Sequence, residues 1–176
     1  MNSMAEVGIF LVNTLFGIYL SILGIRLILA WEHANYFNHI IRFIITLTQP
    51  IVAPVRKFLP NIGRLETATL FWLIVLMMIK FILIVAMTGQ GLDYRVLPIT
   101  AVLLTFVLLI QIFFYSILIY AILSWVHAPE TPIMQVLSQL SAPILRPLQK
   151  IIPLVSGFDI TPLVALILLQ VILIIL

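Results

Sequence analysis

Pro50-Ile-Val-Ala-Pro54-Val-Arg-Lys57-Phe-Leu-Pro60 returns further along the chain as Pro143-Ile-Leu-Arg-Pro147-Leu-Gln-Lys150-Ile-Ile-Pro153. The Pro, Pro, Lys, Pro frame aligns without a gap. Each copy follows an apolar run ending in Trp-x-His (Trp31 and His33; Trp125 and His127). Each is followed, six residues after its last proline, by an acid (Glu66; Asp159) that opens another apolar run. Self-similarity of this kind sets the architecture. The unit is an apolar span, a polar-faced proline-rich hairpin and a second apolar span.

The solvent for those spans is lipid. Of 176 residues, 64% are apolar and 9% are charged, more apolar surface than a water-soluble core can use. Four runs are expected to be long enough to cross a hydrocarbon core of ~30 Å, which takes about 20 helical residues. In lipid the backbone must satisfy its own hydrogen bonds, so the runs are helices. The first repeat, residues 1–92, has spans near 7–31 and 68–87 around a hairpin near 35–63. The second, residues 93–176, has spans near 97–125 and 160–176 around a hairpin near 130–157. The first span is expected to stay in place: Glu6 precedes it and its first basic residue is Arg26, unlike a cleaved signal. With no cysteine, disulfides, thiol chemistry and thiolate metal sites are excluded.

Charge orients the chain. Arg42, Arg56, Lys57 and Arg64 lie in the first hairpin and Arg146 and Lys150 in the second, against Arg95 alone on the opposite side. Lys and Arg favour the cytoplasmic side. The expectation is a multi-pass inner-membrane protein with cytoplasmic hairpins, periplasmic termini and parallel, not inverted, repeats.

In the second hairpin, Thr131-Pro132 starts a helix with a capping hydroxyl and a proline that needs no donor. Ile133, Val136, Leu137 and Leu140 follow at helical spacing, with Gln135, Ser138 and Gln139 opposite. Ser141-Ala-Pro143 is expected to break and restart the helix, and a second stripe (Ile144, Leu145, Leu148, Ile151, Ile152) opposes Arg146, Gln149 and Lys150. The first hairpin sets Ile40, Ile41, Phe43, Ile44 and Leu47 against Asn38, Arg42, Thr46 and Gln49, and Pro50 restarts the chain. Such helices lie in the interface plane, apolar face toward the acyl chains and basic residues toward lipid phosphates or an acidic partner. The plainer reading is a re-entrant anchor that packs the bundle.

Ser124-Trp125 followed by Pro143-x-x-Arg146-Pro147-x-x-Lys150-x-x-Pro153-x-x-x-Gly157-x-Asp159-x-x-Pro162 resembles the signature of the YggT family of bacterial and plastid membrane proteins. The resemblance covers nearly the whole chain, as two tandem family repeats. The first copy departs from it: Ala53 replaces Arg146, Glu66 replaces Asp159 and Thr69 replaces Pro162. Roles needing the full motif therefore go to the second copy. The resemblance implies a small integral membrane protein in assembly, division or homeostasis. Its plastid relatives are tied to maturation of haem-bearing cytochrome complexes and to nucleoid or division-site organisation, its bacterial relatives to envelope and osmotic-stress phenotypes. It implies no agreed enzymatic reaction.

Asp159, after Gly157 and before Pro162, can cap the last span and pair with Arg146 across the hairpin. That clasp either fixes hairpin geometry or presents Arg146 to lipid or a partner. Arg26 and Lys80 lie inside spans. Intramembrane cations are functional candidates by default, though both are near enough to a span end to snorkel. Gln111 and Gln170 suit hydrogen bonds between helices, and Gly17, Ser21 and Gly24 a close-packed or dimer seam. His33 and His127, at equivalent positions, can ligate haem or a metal; the plainer reading is interfacial histidines beside belt tryptophans. No second ligand or supporting carboxylate is spaced for a metal, so no cofactor is expected. No catalytic motif is present.

These observations predict an all-α membrane protein of four transmembrane helices in two parallel repeats, each with a kinked amphipathic interfacial hairpin. It reads as a non-enzymatic scaffold or assembly factor. Arg146, Lys150, Arg56 and Lys57 would contact anionic lipid or other membrane proteins. Pro50, Pro54, Pro60, Pro143, Pro147, Pro153, Gly157, Asp159 and Pro162 would hold the shape. A homo-oligomer is allowed, and the net charge of +3, lodged in the hairpins, argues for acidic lipid and against nucleic acid. The runner-up is a small transporter or channel component, with Gln111, Gln170, Lys80 and Arg26 around a shared lumen.

Overall fold

The computed structural model describes residues 3–34, 37–89, 94–126, 129–152 and 159–176, and the fold is all-helical. In order come α1 (Ser3–Trp31), α2 (His39–Arg56), α3 (Thr67–Thr88), α4 (Leu97–Trp125), α5 (Pro132–Gln149) and α6 (Thr161–Ile175). Helices α1, α3 and α4 are long and apolar enough to cross a membrane. Helix α6 has 15 residues. At 1.5 Å per residue it reaches about 22 Å, short of a ~30 Å hydrocarbon core.

Three packed clusters repeat the logic of the sequence. Leu20, Leu23 and Leu27 of α1 meet Val52 of α2 and Leu73 and Met77 of α3. In the second half Ile110 and Ile117 of α4 meet Leu145 of α5 and Ala165 and Leu169 of α6. Between them, Ile28 and Leu29 of α1, Ile41 and Ile44 of α2, Ile112 of α4 and Val136 and Leu140 of α5 join the halves. Both hairpins therefore lie at one end of the bundle. Asn38 Nδ2 there donates to the Pro132 carbonyl (2.8 Å) and to Gln135 Oε1 (3.3 Å).

The prolines do not break the hairpin helices as their sequence suggests. Pro50 and Pro54 sit inside an unbroken α2, and Pro143 and Pro147 inside an unbroken α5. A proline inside a helix costs about 3 kcal/mol through one lost hydrogen bond and a clash with the preceding turn. Burial on both sides of Pro50 and Pro143 offsets that cost. Ile41, Ile44, Thr48 and Val52 form one buried stripe across Pro50, and Val136, Leu140, Ser141 and Leu145 one across Pro143. The expected start of α5 is present: Thr131 Oγ1 accepts from the Met134 N–H at 3.2 Å.

The apolar face of α2 divides in two. Ile41 and Ile44 turn into the bundle, while Phe43 and Leu47 remain exposed. At 100° per residue Phe43 and Leu47 lie side by side, with Arg42 and Thr46 as the next exposed strip. One flank is buried against the bundle, and two adjacent flanks, one apolar and one polar, are exposed. Ile133 and Ile151, read from sequence as members of the apolar stripes, are exposed at the two ends of the α5 segment.

The histidine after Trp31 has a backbone role. Ala34 N–H bonds to the Leu29 carbonyl (3.0 Å) and His33 N–H to the Ala30 carbonyl (3.2 Å), with His33 at φ +50°. That is the left-handed residue of a Schellman cap, where glycine is the usual occupant. His33→Gly is expected to keep or slightly raise thermal stability. His33→Val, forced into the left-handed region, should lose about 1–2 kcal/mol, read as a lower melting temperature in detergent. His127 lies outside the described residues, as do Pro153 and Gly157.

Candidate functional site

Where the hairpin end of α1 meets the return from α2 to α3, the structure buries a charged corner. Gly63, at φ +59°, turns the chain between the bridged residues Ile62 and Leu65. Thr67 Oγ1 ties the same return to the Leu59 and Pro60 carbonyls (3.2 and 2.9 Å). This sets Glu66 at the N-cap of α3, in reach of α1 and α2. Arg26 of α1 holds it with two parallel bonds: Nε to Oε2 and an amino group to Oε1, both 2.9 Å. Arg56 of α2 adds a bond to Oε1 at 2.7 Å, and Thr69 Oγ1 donates to Oε2 at 2.6 Å.

Arg26 is as fully engaged as its partner. Its remaining donors reach Thr48 Oγ1 (2.7 Å), Gln49 Oε1 (3.2 Å) and, at 3.5 Å, the Ile45 carbonyl. Thr48 can accept because its own proton goes back to the Ile44 carbonyl at 2.7 Å. Arg26 and Glu66 are 5% and 3% exposed, whereas the Arg56 side chain is 45% exposed. Such a pair offsets its desolvation only when every lone pair and proton is used. Burial pushes the Glu66 carboxyl up, but bonds from Arg26 and Thr69 and the charges of Arg26 and Arg56 outweigh it and hold it below its ordinary 4.5. An ionised, fully bonded carboxylate is a clasp, not a general base. It joins α1, α2 and α3 in one corner, beside a cavity of about 250 Å³ lined in part by Gln49, Arg56 and Glu66.

The second repeat builds the same corner without the ion pair. In the repeat frame Tyr120 replaces Arg26, Ser141 replaces Thr48, Ala142 replaces Gln49, Gln149 replaces Arg56 and Pro162 replaces Thr69. Asp159, one residue ahead of the N-cap Ile160, accepts from Gln149 Nε2 (3.0 Å) and from the Thr161 N–H at the start of α6 (2.9 Å). Burial raises its carboxyl, and the bonds from Thr161 and Gln149 outweigh that and hold it low. Ser141 Oγ, whose counterpart serves Arg26, is buried with no hydrogen-bond partner among the described residues.

Several sequence expectations change here. Asp159 does not pair with Arg146; Arg146 reaches Glu32 at the end of α1 instead, at 2.9 Å, and ties the second hairpin to the first repeat. The reason is reach: Gln149, three residues further along α5, already covers the Asp159 carboxylate. Arg26 does not snorkel, because its counter-ion is inside the protein. The copy that departs from the family motif holds the stronger clasp. The Arg26–Glu66 pair was missed, though each half was visible: an arginine inside a span and a lone acid at the mouth of another.

The remaining candidates spread along the bundle. Lys57 and Lys150 stand exposed, one residue beyond α2 and α5, as cations favoured at helix C-termini. Pro162 is buried at the start of α6. Pro60 is an exposed residue of the return loop. Gly24 packs against Ile112 and Leu109 of α4, whereas nothing approaches Gly17. Lys80 and Gln111 share a cavity with Asn13; Arg26 and Gln170 are not in it. No group of three or more His, Asp or Glu fit to hold a metal occurs among the described residues.

The CCB3/YggT family profile matches the chain in two regions, residues 5–87 and 99–176. Three relatives match it along most of their length. A Vibrio alginolyticus protein, described as an uncharacterized protein in the proC 3′ region, is 34% identical over 97% of this chain and 91% of its own length. The YggT protein of Escherichia coli K12 is 33% identical over 93% and 85%. PA0392 of Pseudomonas aeruginosa is 31% identical over 94% and 85%. No solved structure matches. With both halves under one profile and these relatives aligned nearly end to end, the chain belongs to the CCB3/YggT family.

Proposed function

We propose that this family member is a non-enzymatic scaffold of the inner membrane whose two basic hairpins grip anionic lipid of the cytoplasmic leaflet and so dock neighbouring membrane proteins. In this reading α6 makes a fourth, short crossing, and both termini are periplasmic. The observation that carries it is the division of α2. Phe43 and Leu47 are exposed next to exposed Arg42 and Thr46, and Lys57 with Phe58 continues the same pairing past the helix end. In α5 and its flank, Arg146 and Lys150 stand beside exposed Ile151. A helix with one apolar and one basic outer flank belongs at headgroup depth. Each basic residue there gains roughly 1 kcal/mol from an anionic leaflet.

A chain without cysteine allows a clean test. Single cysteines at positions 57 and 150 should both react with a membrane-impermeant thiol reagent only from the cytoplasmic side. Labelling from opposite sides would overturn the topology. In vesicles containing phosphatidylglycerol, amide exchange across α2 and α5 should slow relative to phosphatidylcholine. High salt should cancel the effect, as should a combined Arg56→Gln, Lys57→Gln, Arg146→Gln and Lys150→Gln variant. Equal exchange in both lipids would remove the lipid role. The transporter reading keeps only Lys80 and Gln111 of its proposed lumen, since Arg26 is consumed by Glu66 and Gln170 does not line the cavity that they share.

A further inference from the structure

In the half of the bundle away from the hairpins, three spanning helices each contribute one polar side chain to a single cavity. Asn13 comes from α1, Lys80 from α3 and Gln111 from α4, and the cavity holds about 310 Å³. Counted from the helix ends at 1.5 Å per residue, they lie about 15, 12 and 21 Å inside the bundle. That is hydrocarbon depth. The other walls are apolar, among them Met77, Phe81, Leu104 and Leu108.

Nothing in the described protein answers these groups. Lys80 has no ion pair or hydrogen bond among the described residues, and neither Asn13 nor Gln111 has a side-chain hydrogen bond there. No acid lines the cavity. Asn13 and Gln111 are exposed from the protein, so the cavity opens sideways. The contrast with Arg26 is direct: one intramembrane cation has five internal bonds, the other has none among the described residues. Lysine and two side-chain amides can all donate hydrogen bonds, and an unpaired ammonium repels a cation. Polar groups at this depth mark a ligand or solute path.

We propose that Asn13, Lys80 and Gln111 form a binding site for an oxyanion, a carboxylate or phosphate group, with Lys80 as counter-ion and the two amides as donors. The apolar walls admit the chain of an acidic lipid, and the same three donors admit a free anion from the far side. The site is independent of the hairpin reading.

The full-length protein in phosphatidylcholine nanodiscs tests it, with melting followed by tryptophan fluorescence. One arm adds inorganic phosphate against chloride at equal ionic strength. The other replaces part of the lipid with phosphatidylglycerol. At least one arm should raise the melting temperature in a saturable manner. Lys80→Met should weaken the apparent affinity tenfold or more in that arm, and Asn13→Leu with Gln111→Leu should weaken it in part. The responding arm identifies the source of the anion. Lys57→Gln with Lys150→Gln should leave the Lys80-dependent shift intact, which separates it from the hairpins. No shift in either arm, or equal shifts with and without Lys80, overturns the proposal. Should Lys80→Met fail to fold, the Asn13 and Gln111 pair decides, and an undiminished shift in that variant overturns it too.

Discussion

Glu66→Ala is expected to cost about 3–5 kcal/mol of stability, the usual price of leaving a buried charge without its partner. Arg26 would lose its bidentate counter-ion while staying 5% exposed. Arg56, 45% exposed, would only turn to solvent. Asp159→Ala, at the copy without an ion pair, should lose about 0.5–2 kcal/mol, the range of a helix cap. Arg26→Met with Glu66→Leu should recover most of the single loss, since apolar replacement of a whole buried pair is often neutral or better. Melting curves of the four proteins in one detergent check this. Equal losses at Glu66 and Asp159 would show that the ion pair contributes nothing special.

The same corner predicts a pH response. Folding lowers the Glu66 carboxyl below 4.5. A depressed folded value means that the stabilisation is complete above the unfolded value and is lost as pH falls through the folded one. Melting temperature should therefore hold above about pH 5 and drop on further acidification, as that linkage requires. The drop should be smaller in the Arg26→Met, Glu66→Leu protein. An undiminished drop would place the response elsewhere.

Gly24→Leu should be the next most damaging change. A side chain there enters the space of the Ile112 terminal methyl group and approaches Leu109, at the crossing of α1 and α4 that joins the halves. Overpacking a filled contact costs about 1–3 kcal/mol. In lipid, where water drives no association between spans, close contact carries more of the stability. Gly17→Leu, two turns away on the same helix, meets nothing within 4 Å and should leave stability unchanged. A shared loss would mean that the variants disturb helix insertion and not this crossing.

Much of the fold is legible in the sequence. The apolar runs, the duplicated proline frame, the Thr131 cap and the Asp159 bond to the first turn of α6 all rest on local rules: period, length and the chemistry of helix ends. The fate of the prolines was not legible. Whether Pro50 breaks a helix depends on Thr48 and Val52 being buried on either side of it, which is a property of neighbours distant in sequence. The partner of Arg146 was misread for a similar reason. Sequence spacing favoured Asp159, but the packing of α5 against the end of α1 delivers Glu32.

The sequence alone determined that the chain lives in lipid, that it is helical and that it is one unit written twice, because hydropathy, period and repetition are written residue by residue. Only the tertiary structure decided which charges meet. Arg26 and Glu66 are 40 residues apart, Arg146 and Glu32 are 114 apart, and Lys80 is left with none of the described acids. Pairing is settled by which helix faces converge at a given depth, and no local pattern encodes that convergence.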